Sequence, residues 1–412
     1  MNIPSPSGGL LSVEQTRERI TALIKPVTTI ERLPVRTVLG RVLGEDLISS
    51  IDVPSYANSA MDGYAIRCQD VATLPATLRI IGSAFAGAPF DGQVGPGCCV
   101  RIMTGAVIPD GADAVLMQEQ VQRSDIIITV TDAACARGEN VRHSGEDIAK
   151  GAVVLASGRR LLPVDLGLIA SLGIAEVSVL RRVRVAFFST GDELRSVGET
   201  LQTGQIYDSN RYTLFGMLTR LGVELIDMGV IPDQRAAIET AFLNAAQAAD
   251  VVITSGGVSV GEADYVKATL DKLGNVDFWR IAMKPGKPLA CGRIHESLFF
   301  GLPGNPVSVM ATFYQFVQPA LRHLSGEQFM PALTIKVPCV NRLKKQPGRT
   351  DFQRGLLTTD ANGALTVDST GLQGSHVLSS MSRANCFIVL PAACGDLPAG
   401  TLVDVQPFES FV

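Results

Sequence analysis

Hydrophobic and polar positions change their spacing several times along the chain, and each change predicts a different kind of element. Near the start, Ser12 and Gln15 are spaced as a capping box, and Ile20, Leu23 and Ile24 lie on one helical stripe. A second helical stretch is expected around Val35 to Leu47. From Ile51 to Lys150 short apolar runs such as CCVRIMTGAV, DAVLMQEQV and DIIITVTDA alternate with Gly and Pro, the texture of a small β-rich unit. Helical spacing returns after Ala152 through DLGLIASLG. Pairing that segment with the opening helices makes the β-rich unit an insertion into a helical domain.

From Arg181 to Gly326 strand and helix patterns alternate, which predicts an α/β layer with a mostly parallel sheet. After Met330 the pattern is β again, in LTIKVPCV, TDFQRGLL, ALTVDS, NCFIVLP and TLVDVQPF, and a small barrel or sandwich is expected. The expected fold is therefore α/β and multidomain. A split helical domain (1–50 and 152–180) carries an inserted β-rich domain (51–151), followed by an α/β domain (181–327) and a C-terminal β-barrel (328–412).

The stretch VVITSGGVSVGEADY (251–265) concentrates the chemistry. A solid apolar run, Val251 to Ile253, reads as a buried central strand; Thr254, Ser255, Gly256 and Gly257 break it, with Ser259 further along. An amphipathic helix follows from Tyr265. Strand, small-residue loop and helix is the layout in which backbone N–H groups meet an anion at a helix N-terminus. Asp264 sits beside that loop, where a carboxylate repels a phosphate unless a divalent cation lies between them. An ordinary strand-to-helix turn would look the same, and neither a Walker A loop nor G-x-G-x-x-G occurs.

Ligands of such sheets bind beyond the carboxyl ends of the strands. Several polar loops should converge there: STGDEL with Thr190, Asp192 and Glu193; GQIYDSN with Asp208, Ser209 and Asn210, read as mainly structural with Ser209 or Asn210 as the expected helix N-cap; and VIPDQ with Asp233. MKPGKP and LPGNPVS join them, the latter with Pro303, Asn305, Pro306 and Ser308. In MKPGKP, prolines hold Lys284 and Lys287 close together beside Pro288, an arrangement an oxyanion between them would favour. Carboxylates gathered for Mg²⁺ and lysines gathered for phosphate fit nucleotide or pyrophosphate chemistry. A Ser/His/Asp hydrolase is disfavoured because none of these loops contains His.

Composition narrows the partners. At 412 residues, with 46% hydrophobic and 18% charged residues, the chain is ordinary globular material. A net charge of −4 argues against nucleic acid or an anionic membrane as a partner held by bulk electrostatics. Eight cysteines without C-x-x-C and four scattered histidines argue against zinc, leaving buried reduced thiols as the expectation. The N-terminal stretch lacks a signal-peptide pattern and no apolar run reaches membrane-spanning length, so a soluble cytoplasmic protein is expected.

Taken together, NSAMDGYA, RIMTGA, STGDEL, GQIYDSN, TSGGVSVGEADY, MKPGKP, GLPGNPVS and GRTDFQRG resemble the MoeA family of molybdopterin molybdenumtransferases, related to the gephyrin E domain. The likeness runs nearly end to end, in the same order. It implies an enzyme that takes adenylylated molybdopterin and molybdate, inserts the metal at the dithiolene and releases AMP with Mg²⁺ present. By the same resemblance Asp233 and Asp264, with Glu193 close by, would hold Mg²⁺. Lys284, Lys287, Pro288 and Ser308 would line the molybdate pocket, completed by Arg349 and Ser380 from the C-terminal unit. Asp62 and Thr104 would reach from the inserted unit into the active site of a partner in a homodimer. A molybdopterin adenylyltransferase is the implied supplier of substrate. Two rival readings are a scaffold protein like gephyrin and an adenylyltransferase built on the central domain alone. The adjacent Cys98 and Cys99 fit no motif.

Overall fold

In a computed structural model, residues 9–132, 135–256, 264–328 and 331–408 are described, with Asp264 and Tyr265 by backbone alone. The run Val251–Ser255 is a strand buried at every position, as a strand covered by helices on both faces must be. It lies inside a six-stranded sheet ordered Glu224–Ile231, Arg184–Thr190, Val251–Ser255, Ser297–Leu302, Pro288–Ile294 and Gly274–Arg280. The first four strands are parallel and the last two extend the sheet antiparallel.

Alternate residues of these strands feed two cores. On one face Phe188 and Phe299 pack against Phe242 of the helix Arg235–Ala248, edge to face, with ring centroids 5.2 and 5.6 Å away. Val266 and Leu270 of the helix Asp264–Leu273 join them. On the other face Phe187, Ile253 and Phe300 meet Leu214 and Leu218 of the helix Ser209–Leu221, together with Phe313 and Phe316. The last helix is one continuous run: α-helix Pro306–Thr312, a π turn Phe313–Val317, and α-helix Gln318–Leu324.

The opening helix, Val13–Leu23, carries the expected Ser12–Gln15 capping box, but its place differs from expectation. Val13 and Ile20 are buried in the core of the α/β unit, not in a separate helical domain. Pro319 explains part of this docking. It has no N–H to give Gln315 O, its helical acceptor four residues back. Arg17 supplies donors instead: Nε to Gln315 O at 3.3 Å and Nη2 to Gln315 Oε1 at 2.5 Å.

The split domain is likewise mixed rather than helical. Its frame is an antiparallel ladder, Ile30–Pro34 with Glu176–Leu180, and its one α-helix is Pro163–Ser171. Between Val35 and Leu47 only the 3₁₀ turn Val35–Thr37 forms. The helix-like spacing of Val38, Val42 and Leu43 is used by an irregular chain that bridges to Arg160 and Val179. Gly40, at φ +72°, breaks the helix that the spacing suggested.

The inserted unit holds a six-stranded sheet ordered Ala114–Met117, Gly63–Ile66, Cys98–Ile102, Ala76–Ala84, Ile127–Val130 and Gln122–Ser124. Tyr64 and Ile66 face one core and Ala65 the other, the period of two expected of a strand. Cys99 is a core side chain of that sheet, its thiol pushed up to about 12 by burial, which accounts for half of the cysteine pair.

The C-terminal unit is a curled sheet. Thr350–Thr359 pairs with Cys386–Leu390, which pairs with Leu402–Pro407, which pairs with Ile335–Pro338. Leu365–Ser369 pairs with the other side of Thr350–Thr359, and a bridge from Cys339 to Val367 brings the two ends together. The C-terminal unit is thus β-rich. Met283–Lys284 of the α/β unit adds a short parallel strand to it, in register with Thr350 and Asp351.

Candidate functional site

Because the parallel strands all run the same way, the loops after Thr190, Ile231, Ser255 and Leu302 emerge on one edge. The first carries Gly191, whose φ of +144° only glycine adopts readily. A β-carbon there would lie 2.5 Å from Glu193 Oε2, so the glycine lets Glu193 fold back over the loop. The next loop brings Asp233 to the same place, its backbone N–H donating to Asp192 Oδ1 at 3.1 Å. Burial, then the charges of Asp192 and Glu193, hold the Asp233 carboxyl above the ordinary range. This crowding of carboxylates is what a hard divalent cation relieves, and oxygen donors of this kind suit Mg²⁺. No group of three or more His, Cys, Asp or Glu among the described residues is arranged to hold a metal ion. Asp264 opens its helix where expected, but its side chain, like Gly257 and Ser259, lies outside the described residues.

Asn210 knits this edge together. Its Nδ2 donates to Ser255 Oγ at 2.9 Å and to Gly304 O at 2.7 Å. The cap of the helix Ser209–Leu221 is Asp208, accepting from Arg211 N at 3.1 Å, rather than the expected Ser209 or Asn210, which lie inside the helix. Gly256, at φ +96°, has no room for a side chain: a β-carbon would stand 2.9 Å from Thr190 O. Thr190 and Ser255 are buried, as is Pro303, with Pro306 half-buried. Among the described residues, Thr254 Oγ1, Ser189 Oγ, Asn210 Oδ1 and Asp208 Oδ2 are buried without a hydrogen-bond partner. Such atoms call for a partner, and this cluster borders the loop that was read as an anion cradle.

The lysine loop lies between the α/β and C-terminal units. Ile281 N donates to Lys287 O at 2.7 Å, which closes the turn. Gly286, at φ +97°, tucks beneath Thr312, leaving 2.9 Å for any β-carbon. Lys284 and Lys287 are exposed, and Pro288 is half-buried. Lys284 lines a cavity of ≈ 560 Å³ with Pro285, Lys344, Asp351, Arg354 and Gln373. Lys287, Ser308, Arg349 and Ser380 are not among its lining residues. Ser308 is buried in the helix Pro306–Thr312.

Ser380 is wholly buried: its hydroxyl donates to Val377 O at 2.7 Å and accepts from Arg354 Nε at 3.1 Å. It therefore acts on the cavity through Arg354, a residue that motif reading passed over in favour of Arg349. Arg354 is 1% exposed, and its Nη2 donates to Leu372 O and Gly374 O, both at 3.0 Å. All three of these acceptors are neutral, and burial lowers the guanidinium to about 10. The signal available in the sequence was a charged residue inside the apolar strand pattern TDFQRGLL. Asp351, across the cavity, is held above the ordinary carboxylate range by burial, despite Lys345 Nζ at 3.8 Å.

Asp62 and Thr104 come together as their own pair. Asp62 Oδ1 accepts from Thr104 N at 2.7 Å and from Thr104 Oγ1 at 2.8 Å. These two bonds keep the exposed Asp62 carboxyl below its ordinary range. Both residues bond to each other rather than to the carboxyl-edge loops.

The chain is a divided α/β protein with an acidic carboxyl edge and a cavity lined by Lys284, Arg342, Lys344 and Arg354 between two of its units. Family profiles match the chain in order: "MoeA N-terminal region (domain I and II)" over residues 11–173, "Probable molybdopterin binding domain" over 186–323 and "MoeA C-terminal region (domain IV)" over 336–408. A molybdopterin molybdenumtransferase of Haemophilus influenzae is 48% identical over 402 residues, covering 97% of this chain and 99% of that protein. Gephyrin of Dictyostelium discoideum is 35% identical over 91% of this chain and 59% of its own length. A crystal structure described as a molybdopterin biosynthesis moeA protein from Pyrococcus horikoshii superposes with a TM-score of 0.85 at 30% identity, over 97% of this chain and all of that one. The chain belongs to the MoeA family.

Proposed function

We propose that this chain is a molybdopterin molybdenumtransferase acting in molybdenum cofactor biosynthesis. It takes adenylylated molybdopterin and molybdate, places molybdenum on the dithiolene and releases AMP. The observation that carries this reading is the ≈ 560 Å³ cavity where Lys284 of the α/β unit and Arg354 of the C-terminal unit line one space. A doubly charged oxyanion suits such a space, because cations from two units are then drawn together rather than held apart. Lys287, Pro288, Ser308 and Arg349 shape the surrounding turn and rim, and Ser380 fixes Arg354. The backbone around Ser255 and Gly256 leads into the loop that takes the adenylyl phosphate, with Thr190, Pro303 and Pro306 as its walls.

Glu193, Asp233 and Asp264 are the residues that would hold Mg²⁺. When bound, the ion neutralises charge developing on the phosphoanhydride as AMP leaves. The oxygens of Asp233 and Glu193 orient that group. Asp62, pinned by Thr104, presents a carboxylate to solvent at an edge of the inserted unit. We assign it to the site of a partner protomer in a homodimer, with a molybdopterin adenylyltransferase handing over the substrate. No helix among the described residues is long and apolar enough to cross a membrane.

The test is incubation with adenylylated molybdopterin, molybdate and Mg²⁺, with AMP quantified. AMP release that needs all three components, and that Asp264→Ala and Asp233→Asn abolish in folded protein, is expected. AMP release independent of molybdate would point instead to a hydrolase or adenylyl-group enzyme.

A further inference from the structure

Two half-buried thiols of the inserted unit, Cys68 and Cys135, have no part in the reading above. Their sulfurs lie 2.8 Å apart, although the residues are 67 positions apart in the chain. That separation is inside ordinary nonbonded contact, and a disulfide bond would bring it to about 2.05 Å. Asp113 sets the approach without help from the sulfurs. Its Oδ1 accepts from Cys68 N at 2.7 Å, and its carbonyl accepts from Gly138 N at 2.7 Å. One residue thus grips both backbones that carry the thiols. Both cysteines also pack against the apolar core formed by Tyr64, Ile66 and Leu78.

We infer that Cys68 and Cys135 form a dithiol that closes to a disulfide when a low-molecular-weight disulfide, such as oxidised glutathione, is in excess. The Cys68 thiolate attacks one sulfur of the oxidant and expels a glutathione thiolate. Cys135 then loses its proton and attacks the Cys68 sulfur of the mixed disulfide, expelling the second glutathione. The protein gives up two electrons and two protons, and the oxidant is reduced to two thiols. Burial raises both thiols above their ordinary range, Cys135 further than Cys68. The thiolate is the attacking species, so closure accelerates as pH rises.

The bond would act beyond its own atoms. Past Cys135 the chain runs to Asn140, whose carbonyl accepts from Ala60 N at 2.9 Å, and to Val141–Arg142, which pairs with Asn58–Ser59. That short strand leads directly into Met61 and Asp62. Closing the disulfide tethers this segment at its Cys135 end and steadies the loop that carries Asp62.

The folded chain is incubated with a graded ratio of oxidised to reduced glutathione, then unfolded in urea containing iodoacetamide to trap every free thiol, and mapped by peptide mass. The expected result is a linked Cys68–Cys135 peptide with the other six cysteines alkylated. Asp113→Ala should slow its formation several-fold, and amide exchange at Ala60 should slow several-fold in the oxidised protein. Glutathione adducts without the internal link, or alkylation of both cysteines at every ratio, would overturn the inference. Cys68→Ala serves as a second check: it must leave Cys135 carrying glutathione or iodoacetamide only. Linkage of Cys135 to another cysteine in that variant would show that proximity to Cys68 was not what directed the bond.

Discussion

Replacing Arg354 by methionine separates what this residue costs the fold from what it gives the site. Burial lowers its guanidinium from the ordinary arginine range to about 10. The unfolded chain therefore holds that proton more tightly than the folded one, and burying the charge costs about 3 kcal/mol at neutral pH. Because the group is basic and depressed, that cost is present below about pH 10 and is relieved as pH rises through it. Methionine removes the charge and keeps an unbranched stem of similar length. Against this gain, Leu372 O and Gly374 O lose their donor, at about 1–3 kcal/mol for each carbonyl left dry. Ser380 keeps its bond to Val377 O, and the adjoining cavity can admit water to the two carbonyls.

The terms nearly cancel, so Arg354→Met should change unfolding free energy by no more than about 2 kcal/mol. Urea titration followed through Trp279 and circular dichroism reads this, since the core around Trp279 also contains Phe352 and Phe387 of the C-terminal unit. The molybdate requirement for AMP release should behave differently. One lost charge-assisted hydrogen bond, about 1.5–3 kcal/mol, corresponds to a rise of roughly 10- to 100-fold. A folded variant with wild-type molybdate dependence would refute the assignment of Arg354 to the oxyanion. A loss of stability beyond about 5 kcal/mol would refute the cancellation argued from burial.

Lys284→Ala should raise the molybdate requirement more than Lys287→Ala or Arg349→Lys, because only Lys284 of the three lines the cavity; equal titration curves would contradict that order. Gly256→Ala places a β-carbon 2.9 Å from Thr190 O at φ +96°, so about 1–3 kcal/mol of stability and most activity should be lost, as read by thermal unfolding and AMP release. The raised Asp233 carboxyl means that its ionised form disfavours folding above its ordinary range and that the penalty is relieved as pH falls. Mg²⁺ should therefore raise the unfolding temperature at pH 7, and EDTA or Asp233→Asn should remove the rise; an unchanged melting curve with Mg²⁺ would place the ion elsewhere. Asp62→Asn should be inactive alone and partly rescued by Asp233→Asn in mixed dimers. Verified heterodimers without activity would count against a shared site.

What could be read in the sequence follows from which physical signals are local. The strand Val251–Ser255 and its neighbours announced themselves because a strand buried on both faces needs an uninterrupted apolar run. The cap Ser12 was legible because a cap is a bond between residues three apart, whereas the cap expected at Ser209 or Asn210 falls one residue earlier, on Asp208. The segment Val35 to Leu47 misled because apolar side chains at i, i+3 and i+4 can equally fill an irregular core, and only Gly40 and its positive φ tell the two apart. The docking of the opening helix was invisible, since the acceptor that holds Arg17 exists only because Pro319 withholds a donor from Gln315. The same limit explains the candidate site. Motif spacing singled out Asp233, in a loop, and Lys284, on a two-residue strand, but favoured Arg349 over Arg354. Which arginine of a motif faces a cavity depends on strand register and on a serine 26 residues away, and the register of this sheet is set by its partners. The residues that make a loop polar are thus readable early, whereas those that make a cavity charged wait on the pairing of strands.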